Sequence, residues 1–313
     1  MVRLVIDTDP GVDDAHAILL AFAHPGARVE AIVTVAGNVG LPLTTANAAT
    51  ILDILQAPAE HTPIFAGADR ALLGAGGDAA VVHGADGLGS SGYPASGRKI
   101  EAEHGALALI RLAAQAPGEL TLVAIGPLTN LALALRLDPL LPQKYKSLVV
   151  MGGAIRSGGN MPPRPSTEFN IFTDPEAAAI VFDGWPGLSL VSWETTVQYL
   201  VSSELVRQMM GAGTPRAEFF RRITEGILNY DEKVLGQRGL FAPDPLAMAI
   251  AIEPGLVQRS ELRAVTVELT GQHTRGQTTV DWTNLTGRKP NVNVILDVDG
   301  PRFFQLLLAS VAA

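Results

Sequence analysis

The densest group of chemically active side chains lies at residues 7–14, where the sequence reads Asp-Thr-Asp-Pro-Gly-Val-Asp-Asp. Four carboxylates within eight residues repel one another unless a cation or shared protons compensate. Carboxylate oxygens suit hard cations such as calcium and magnesium. The alternative is that two of these residues cap a helix while the other two are hydrated. An EF-hand does not fit, because Ile18 stands at the twelfth position, where a bidentate Glu belongs.

Short apolar runs alternate with segments of helical spacing, and this alternation must position the acidic cluster. Predicted strands cover residues 2–6, 28–35, 120–125, 147–151 and 188–191. Between them lie helical patterns, the first of which begins at the acidic cluster. The pattern predicts an α/β fold with an open, mostly parallel, doubly wound (Rossmann-like) sheet flanked by helices.

The later part of the chain has a different pattern. Helical spacing at 203–210, 215–235 and 245–252 precedes alternating stretches near 262–269, 277–282 and 292–298, and a closing helix is predicted at about 301–311. The alternating stretches predict a small antiparallel addition near the C-terminus. Since no repeat and no linker-like composition interrupts the sequence, we expect residues 1–313 to form one domain.

Polar residues follow the predicted strands. Asn38 follows the second strand, Gly-Pro-Leu-Thr-Asn follows the third at 126–130, and Trp193-Glu194 follows the fifth. Ligands of open α/β sheets bind beyond the carboxyl ends of the strands, so we expect these loops to converge on one polar crevice. Two Gly-rich stretches, 74–97 and 152–165, have the length of binding loops, and the first is a candidate lid.

Composition narrows the class of protein further. The 23 basic and 31 acidic residues give a net charge of −8, and no cluster of Lys or Arg could track a nucleic acid backbone. The absence of cysteine excludes disulfides, thiolate metal sites and a Cys nucleophile. No apolar run approaches the roughly 20 residues of a membrane span, and the N-terminal run is too short for a signal peptide. We therefore expect a cytoplasmic protein without membrane or nucleic acid partners.

Six motifs, taken in order, resemble the inosine-uridine preferring nucleoside hydrolase family. They are the acidic octapeptide, Ala-Gly-Asn at 36–38, His-Gly-Ala-Asp-Gly-Leu at 83–88, Gly-Pro-Leu-Thr-Asn at 126–130, Met-Gly-Gly at 151–153, and Glu-Phe-Asn-Ile with Asp-Pro-Glu-Ala at 168–177. The resemblance implies hydrolysis of the N-glycosidic bond of a small ribonucleoside substrate to ribose and free nucleobase. It also implies one calcium ion (Ca2+) in the pocket and a homodimer or homotetramer.

Carried over residue by residue, the resemblance assigns two sets of site residues. The metal set comprises the carboxylates of Asp9, Asp14 and Asp244 and the backbone carbonyl of Ile125. Asp9 would also be the catalytic base that takes a proton from a water held by the ion. The substrate set, which would hold or surround the ribose, comprises Asp13, Asn38, His83, Met151, Asn160, Glu168 and Asn170.

The sequence departs from the family where the leaving nucleobase is assisted. Relatives carry His or Trp immediately before the last metal carboxylate, but this chain has Pro243, which can neither donate a proton nor stack as a broad aromatic face. His83, Tyr230 and Trp193 are the candidate substitutes. The missing aromatic residue argues against strict purine specificity, and the preferred nucleobase stays open.

Two other functions are compatible with parts of the sequence. A calcium-dependent riboside-binding protein with impaired turnover would follow if nothing replaces the acid missing at Pro243. Haloacid-dehalogenase-type phosphatases also begin with Asp-x-Asp after the first strand. They require Thr or Val where Gly11 stands, which makes this alternative the weaker one.

Overall fold

The computed structural model describes residues 1–58, 61–74, 76–161, 164–230, 232–233, 236 and 238–312, with the side chain of Tyr230 left out. The strands are β1 (Val2–Thr8), β2 (Ala27–Thr34), β3 (Ile64–Ala66), β4 (Leu120–Ala124), β5 (Ser147–Met151), β6 (Leu188–Val191), β7 (Val201–Ser202), β8 (Gly239–Leu240), β9 (Val257–Val267), β10 (Thr278–Asp281) and β11 (Val292–Val298). The helices are α1 (Val12–Ala23), α2 (Leu41–Ile54), α3 (Ala80–His83), α4 (Gly105–Gln115), α5 (Thr129–Leu137), α6 (Phe169–Thr173), α7 (Pro175–Gly184), α8 (Trp193–Val197), α9 (Ser203–Met210), α10 (Pro215–Tyr230), α11 (Pro243–Ile252) and α12 (Gly300–Ala312).

Nine strands form one sheet in the order β10-β9-β11-β6-β5-β4-β1-β2-β3. The chain runs outward from β1 to β2 and β3, then returns to β4 on the other side of β1 and continues to β5 and β6. All of these neighbours pair in parallel. The direction of winding therefore reverses between β1 and β4, which is where doubly wound folds bind their ligands. The predicted fold class is confirmed.

The predicted antiparallel addition continues this sheet. β11 pairs in parallel with β6 and antiparallel with β9, and β9 pairs antiparallel with β10. A separate two-stranded antiparallel sheet joins β7 to β8, with Val201 opposite Leu240. The sequence pattern did not predict this small sheet, because strands of two residues carry no periodicity.

The sheet is buried between two hydrophobic clusters. Leu4 and Ile6 of β1 belong to one cluster and Val5 to the other, since side chains alternate across a strand. All five residues of β4 are buried, as expected for a central parallel strand. No described helix is long and apolar enough to cross a membrane.

Several element bounds match the prediction and one consequential bound does not. The predicted segments 147–151, 188–191, 203–210 and 292–298 coincide with β5, β6, α9 and β11. The helix predicted to start at 245 begins two residues earlier, at Pro243, because proline is well accommodated in the first turn, where its missing N–H costs nothing. Asp244 is therefore in the first turn of α11, facing the same sheet edge as α1.

Candidate active site

A cavity opens beyond the carboxyl ends of the central strands. Nine of the predicted site residues line it: Asp13, Asn38, His83, Ile125, Met151, Asn160, Glu168, Asn170 and Asp244. The other two, Asp9 and Asp14, are almost fully buried, at 1% and 0% exposure, and they join the lining through Asn38, which hydrogen bonds to both. Loops that are far apart in sequence therefore converge at the switch point, which is the place between β1 and β4 where the direction of winding reverses. The positions of polar residues after the predicted strands led us to expect this convergence.

Asp14 organises the turn that joins β1 to α1. Its carboxylate accepts hydrogen bonds from the backbone amide of Gly11 at 2.9 Å and from the side-chain amide of Asn38 at 2.9 Å. The Thr8 hydroxyl donates to it as well. Gly11 is the N-cap of α1, so Asp14 satisfies one of the amides that every helix start leaves unpaired.

The two carboxylate oxygens of Asp9 differ in their hydrogen bonding. Its Oδ2 accepts a 2.7 Å hydrogen bond from the backbone amide of Asn38, while its Oδ1 is buried and finds no partner among the described residues. Two glycines leave room for the carboxylate: a Cβ at Gly37 would lie 2.0 Å from Oδ2, and a Cβ at Gly126 would lie 2.6 Å from Oδ1. A buried carboxylate oxygen without a partner favours a cation or a proton beside it, and the two glycines leave space around this carboxylate.

Three carboxylates approach one another closely. Asp13, Asp14 and Asp244 each place one carboxylate oxygen within 4.8 Å of the other two. They lie in the first turns of α1 and α11, where the helix dipoles favour negative charge. The group contains Asp13, which the sequence placed with the substrate, whereas Asp9 lies outside it.

The electrostatics of this cluster would favour a bound cation, because the pKa values of its carboxyl groups are raised. Burial raises the pKa of Asp13 and of Asp14 to about 6. Burial, followed by repulsion from Asp14, raises the pKa of Asp9 well above its ordinary range, and burial with repulsion from Asp13 does the same for Asp244. The alternative is therefore wrong for Asp7 and Asp9, which are buried and not hydrated, whereas Asp14 does cap the start of α1.

Asp7 has a different role from the other acids of the octapeptide. Its Oδ2 accepts a 2.9 Å hydrogen bond from the side chain of Asn130, the last residue of Gly-Pro-Leu-Thr-Asn. Asn130 also donates to the carbonyl of Thr34 and accepts from the amide of Ala68. Burial raises the pKa of Asp7 to about 7. This pair stabilises the sheet next to the site, and the Asp7 backbone carbonyl accepts a 2.9 Å hydrogen bond from the amide of Ile125, which lines the cavity.

Glu168 and Asn170 are positioned by the start of α6. Glu168 is the N-cap, and its carboxylate accepts hydrogen bonds from the amides of Asn170 at 2.9 Å and Gly153 at 2.8 Å. Burial nevertheless raises its pKa to about 7. The Asn170 side chain donates to the carbonyl of Ile125 at 3.0 Å, so this predicted metal ligand already carries one hydrogen bond.

His83 and Asn160 are each fixed through one side-chain atom. The amide of Val12 donates to Nδ1 of His83 at 3.1 Å, which leaves Nε2 as the protonated nitrogen of the neutral ring. Burial lowers the pKa of His83 to about 4, so the ring is neutral at pH 7. Asn160 accepts from the amide of Phe169 at 3.0 Å through its side-chain oxygen, and its NH2 group has no hydrogen-bond partner among the residues that the structure describes.

Hydrogen bonds hold part of the first Gly-rich loop, 74–97, close to His83. The Asn47 side chain donates to the carbonyls of Pro10 at 2.9 Å and Asp86 at 2.8 Å, which connects the loop to the acidic octapeptide. The Asp86 carboxylate in turn accepts hydrogen bonds from the amides of Leu88, Ser90 and Gly92. Residues 86–92 therefore form a hydrogen-bonded turn that helps to position His83, and whether the loop 74–97 acts as a lid stays a prediction.

Most of the apolar lining of the cavity was not predicted from the sequence. Trp193, one of the candidates, does line the cavity, but Val82, Met161, Ile227 and Phe241 line it as well. Apolar residues at loop ends have no sequence pattern that separates a cavity wall from a core. The side chain of Tyr230, another candidate, lies outside the described part of the structure.

Comparisons with known proteins agree with one another. The family model "Inosine-uridine preferring nucleoside hydrolase" matches residues 4–305. The inosine-uridine preferring nucleoside hydrolase of Crithidia fasciculata is 35% identical over 312 residues, 98% of this chain and 96% of its own. Two solved structures, a plant nucleoside hydrolase and an inosine-guanosine nucleoside hydrolase, superpose with TM-scores of 0.93 and 0.91 at 32% and 35% identity. The first covers 100% of this chain and 99% of its own, and the second covers 99% of both.

Proposed function

Because this chain belongs to the inosine-uridine preferring nucleoside hydrolase family, whose members cleave the N-glycosidic bond of ribonucleosides, we propose that its acidic cavity performs this hydrolysis with one bound calcium ion. The single observation that carries the proposal is the group of buried carboxylates at the β1/β4 switch point. The family match also makes the phosphatase alternative wrong.

The donor set fits a hard divalent cation. The family is metal-dependent, and the cluster offers carboxylate oxygens without any sulfur or imidazole ligand of its own. The unpartnered Oδ1 of Asp9 supports placing Asp9 with Asp14, Asp244 and the carbonyl of Ile125 as the holding residues. The 4.8 Å grouping supports adding Asp13. Calcium suits such a set because it tolerates six to eight oxygens in loose geometry, whereas magnesium demands a strict octahedron.

When bound, the cation would supply positive charge that lowers the pKa of a nearby water and orients the ribose diol. The chain's own residues then perform the remaining work. Asp9, through its free Oδ1, takes the proton from the attacking water. The water adds to C1′ as the N-glycosidic bond breaks, and the bonding electrons leave with the nucleobase. The ribose ring then carries positive charge and resembles an oxocarbenium ion, as in other glycoside hydrolyses.

Polar lining residues would hold the ribose. Asn38 and Asn170 line the cavity, and the NH2 group of Asn160 has no partner among the described residues. Glu168 accepts two or more backbone hydrogen bonds, which keep its carboxylate in place for a ribose hydroxyl. Met151 lines the same cavity with an apolar surface suited to the sugar ring. Such positioning confines the ribose with C1′ facing the base.

Departure of the nucleobase needs a hydrogen-bond donor other than residue 243. Pro243 lines the cavity where an acid would be expected, and it has no proton to give. His83 supplies a neutral Nε2–H, which can donate a hydrogen bond to a departing base but is not a strong acid. This observation keeps a second candidate function, riboside binding with impaired turnover.

One assay separates these functions. Purified protein is incubated with calcium and with inosine, guanosine, adenosine, uridine, cytidine or p-nitrophenyl riboside, and released ribose is measured. Ribose from natural nucleosides supports the hydrolase. Ribose from p-nitrophenyl riboside alone supports the riboside-binding alternative, because that leaving group needs no acid. No release from any substrate would overturn the proposal. The isosteric variant Asp9→Asn should lower the rate about 100-fold or more, as expected for loss of a general base.

A further inference from the structure

The acidic and amide residues account for only part of the cavity lining. Once they are assigned to the ion and the ribose, the remaining wall is mainly apolar and includes Val82, Met161, Phe169, Trp193, Ile227 and Phe241. A nucleobase attached to C1′ must occupy the space that the ribose leaves. The wall offers it mainly apolar and aromatic contacts, so its recognition depends on stacking and shape.

Trp193 is the largest side chain of this wall, and it is held from two directions. Its ring packs against that of Phe241 with centroids 5.2 Å apart and planes tilted by 55°, a contact that restricts the orientation of the indole. Its backbone amide donates to the carbonyl of Gly153 at 2.9 Å. The indole is half-buried, so part of its surface remains open to the cavity.

The helix that carries Trp193 is itself anchored. The Ser192 hydroxyl caps α8 by accepting from the amide of Thr195 at 3.3 Å, and the Thr195 hydroxyl donates to the carbonyl of Ile295 in β11 at 2.7 Å. A rigid aromatic ring needs little ordering when a ligand binds, which favours its use as a stacking platform.

We infer that Trp193 is the platform on which the nucleobase stacks, and that it is a specificity-determining residue for the base. This inference rests on the proposed function, because it requires a ribose held by the polar lining. A bicyclic purine covers more of an indole than a monocyclic pyrimidine does, so Trp193 favours purine ribonucleosides. The indole of Trp193 thereby supplies the stacking contact with the base that Pro243 cannot provide.

The first test measures binding without turnover. Hypoxanthine and uracil are titrated separately into the calcium-loaded protein while tryptophan fluorescence is excited at a wavelength where the bases do not absorb. We expect both bases to quench the fluorescence, hypoxanthine more strongly, and the quenching to disappear in Trp193→Phe. The matched control Trp282→Phe should keep it, because Trp282 packs beside Arg156 and does not line the cavity. Quenching that survives in Trp193→Phe, or none in the wild type, would overturn the inference.

The second test measures kcat and KM for inosine and uridine in Trp193→Leu and Trp193→Phe. Stacking on one aromatic residue changes affinity by about tenfold to a hundredfold. We expect Trp193→Leu to lower kcat/KM for inosine at least about tenfold and for uridine severalfold less, with Trp193→Phe recovering part of the loss. Equal losses for both substrates would indicate a merely structural role. Circular dichroism checks that each variant is folded.

The two claims can fail separately. If no nucleoside is hydrolysed but quenching depends on Trp193, the proposed function fails while the platform stands. If ribose is released and Trp193→Leu changes neither the quenching nor the inosine-to-uridine ratio, the platform fails while the proposed function stands.

Discussion

Asp244→Asn should stabilise the metal-free protein and remove its response to calcium. Asp244 lies within 4.8 Å of carboxylate oxygens of Asp13 and Asp14. At that separation and an effective dielectric constant of about 20, each pair of full charges repels by about 3 kcal/mol. Shared protons already relieve much of this repulsion, and losing a negative charge from the first turn of α11 costs up to about 1 kcal/mol. We therefore expect a net gain of about 1–2 kcal/mol without metal.

The assay is thermal unfolding at pH 7.5, with EDTA or with calcium in excess. For a chain of this size, 1 kcal/mol corresponds to roughly 2 °C, so Asp244→Asn should raise Tm in EDTA by about 2–4 °C. Calcium at about 100 times its Kd should stabilise the wild type by about 2.7 kcal/mol, or roughly 5 °C. The variant should gain less than about 1 °C from calcium.

Asp69→Asn is the matched control, because Asp69 is exposed and pairs only with its neighbour Arg70. Its Tm should stay close to that of the wild type in EDTA, and its calcium response should be unchanged. A lower Tm of Asp244→Asn in EDTA would contradict the predicted repulsion among these carboxylates. Calcium stabilisation of that variant equal to that of the wild type would contradict the role of Asp244 in holding the ion.

Three further predictions concern the shape of the site, its loop and the acid stability of the core. Gly37→Ala should lower activity about 100-fold, because the added Cβ would lie 2.0 Å from Oδ2 of Asp9, whereas Gly97→Ala meets nothing within 4 Å and should have no effect. Glu194→Gln should raise KM for inosine severalfold with a smaller change in kcat, because the Glu194 carboxylate holds the loop that carries Asn160 by accepting three amide hydrogen bonds at 2.7–3.1 Å. Burial lowers the pKa of His16 to about 3, so below about pH 6.5 only the unfolded state takes up its proton and stability falls as the pH decreases toward 3. That histidine should cost the wild type about 2 kcal/mol between pH 7.5 and pH 5, as measured by urea unfolding, and a folded His16→Gln should lose this part of the pH dependence.

Each of these predictions can be contradicted by a specific result. Wild-type activity in Gly37→Ala would show that the Asp9 carboxylate has room to move. A loss of kcat with unchanged KM in Glu194→Gln would assign that residue to the chemistry instead of the loop. A His16→Gln variant with the wild-type slope of stability against pH would show that other groups govern acid unfolding.

The parts of the fold that the sequence predicts well are those fixed by local patterns. β5 and β6 are short apolar runs bounded by turn residues, and α9 and β11 have clear periodicity, so their bounds could be read from the sequence. β7 and β8 could not, because each has two residues and exists only through pairing with the other. The start of α11 was misplaced because a proline in the first helical turn resembles a helix boundary.

The site residues also divide into those that could be predicted from the sequence and those that only the fold brings together. The family resemblance assigned eleven site residues, some of which also follow predicted strands, and nine of the eleven line the cavity. The grouping of Asp13 with Asp14 and Asp244 depends on how two helix starts meet, which residue spacing does not specify. The apolar wall around Phe241 was missed because its residues become a wall only when distant loops fold together.

The central claim is that the buried carboxylates act through a calcium ion in ribonucleoside hydrolysis. The most direct measurement is ribose release from inosine and uridine by EDTA-treated wild-type protein as calcium is titrated back. We expect almost no release without metal and a rise that saturates at one calcium per chain. Full release in excess EDTA, or calcium binding at this stoichiometry without any release, would contradict it.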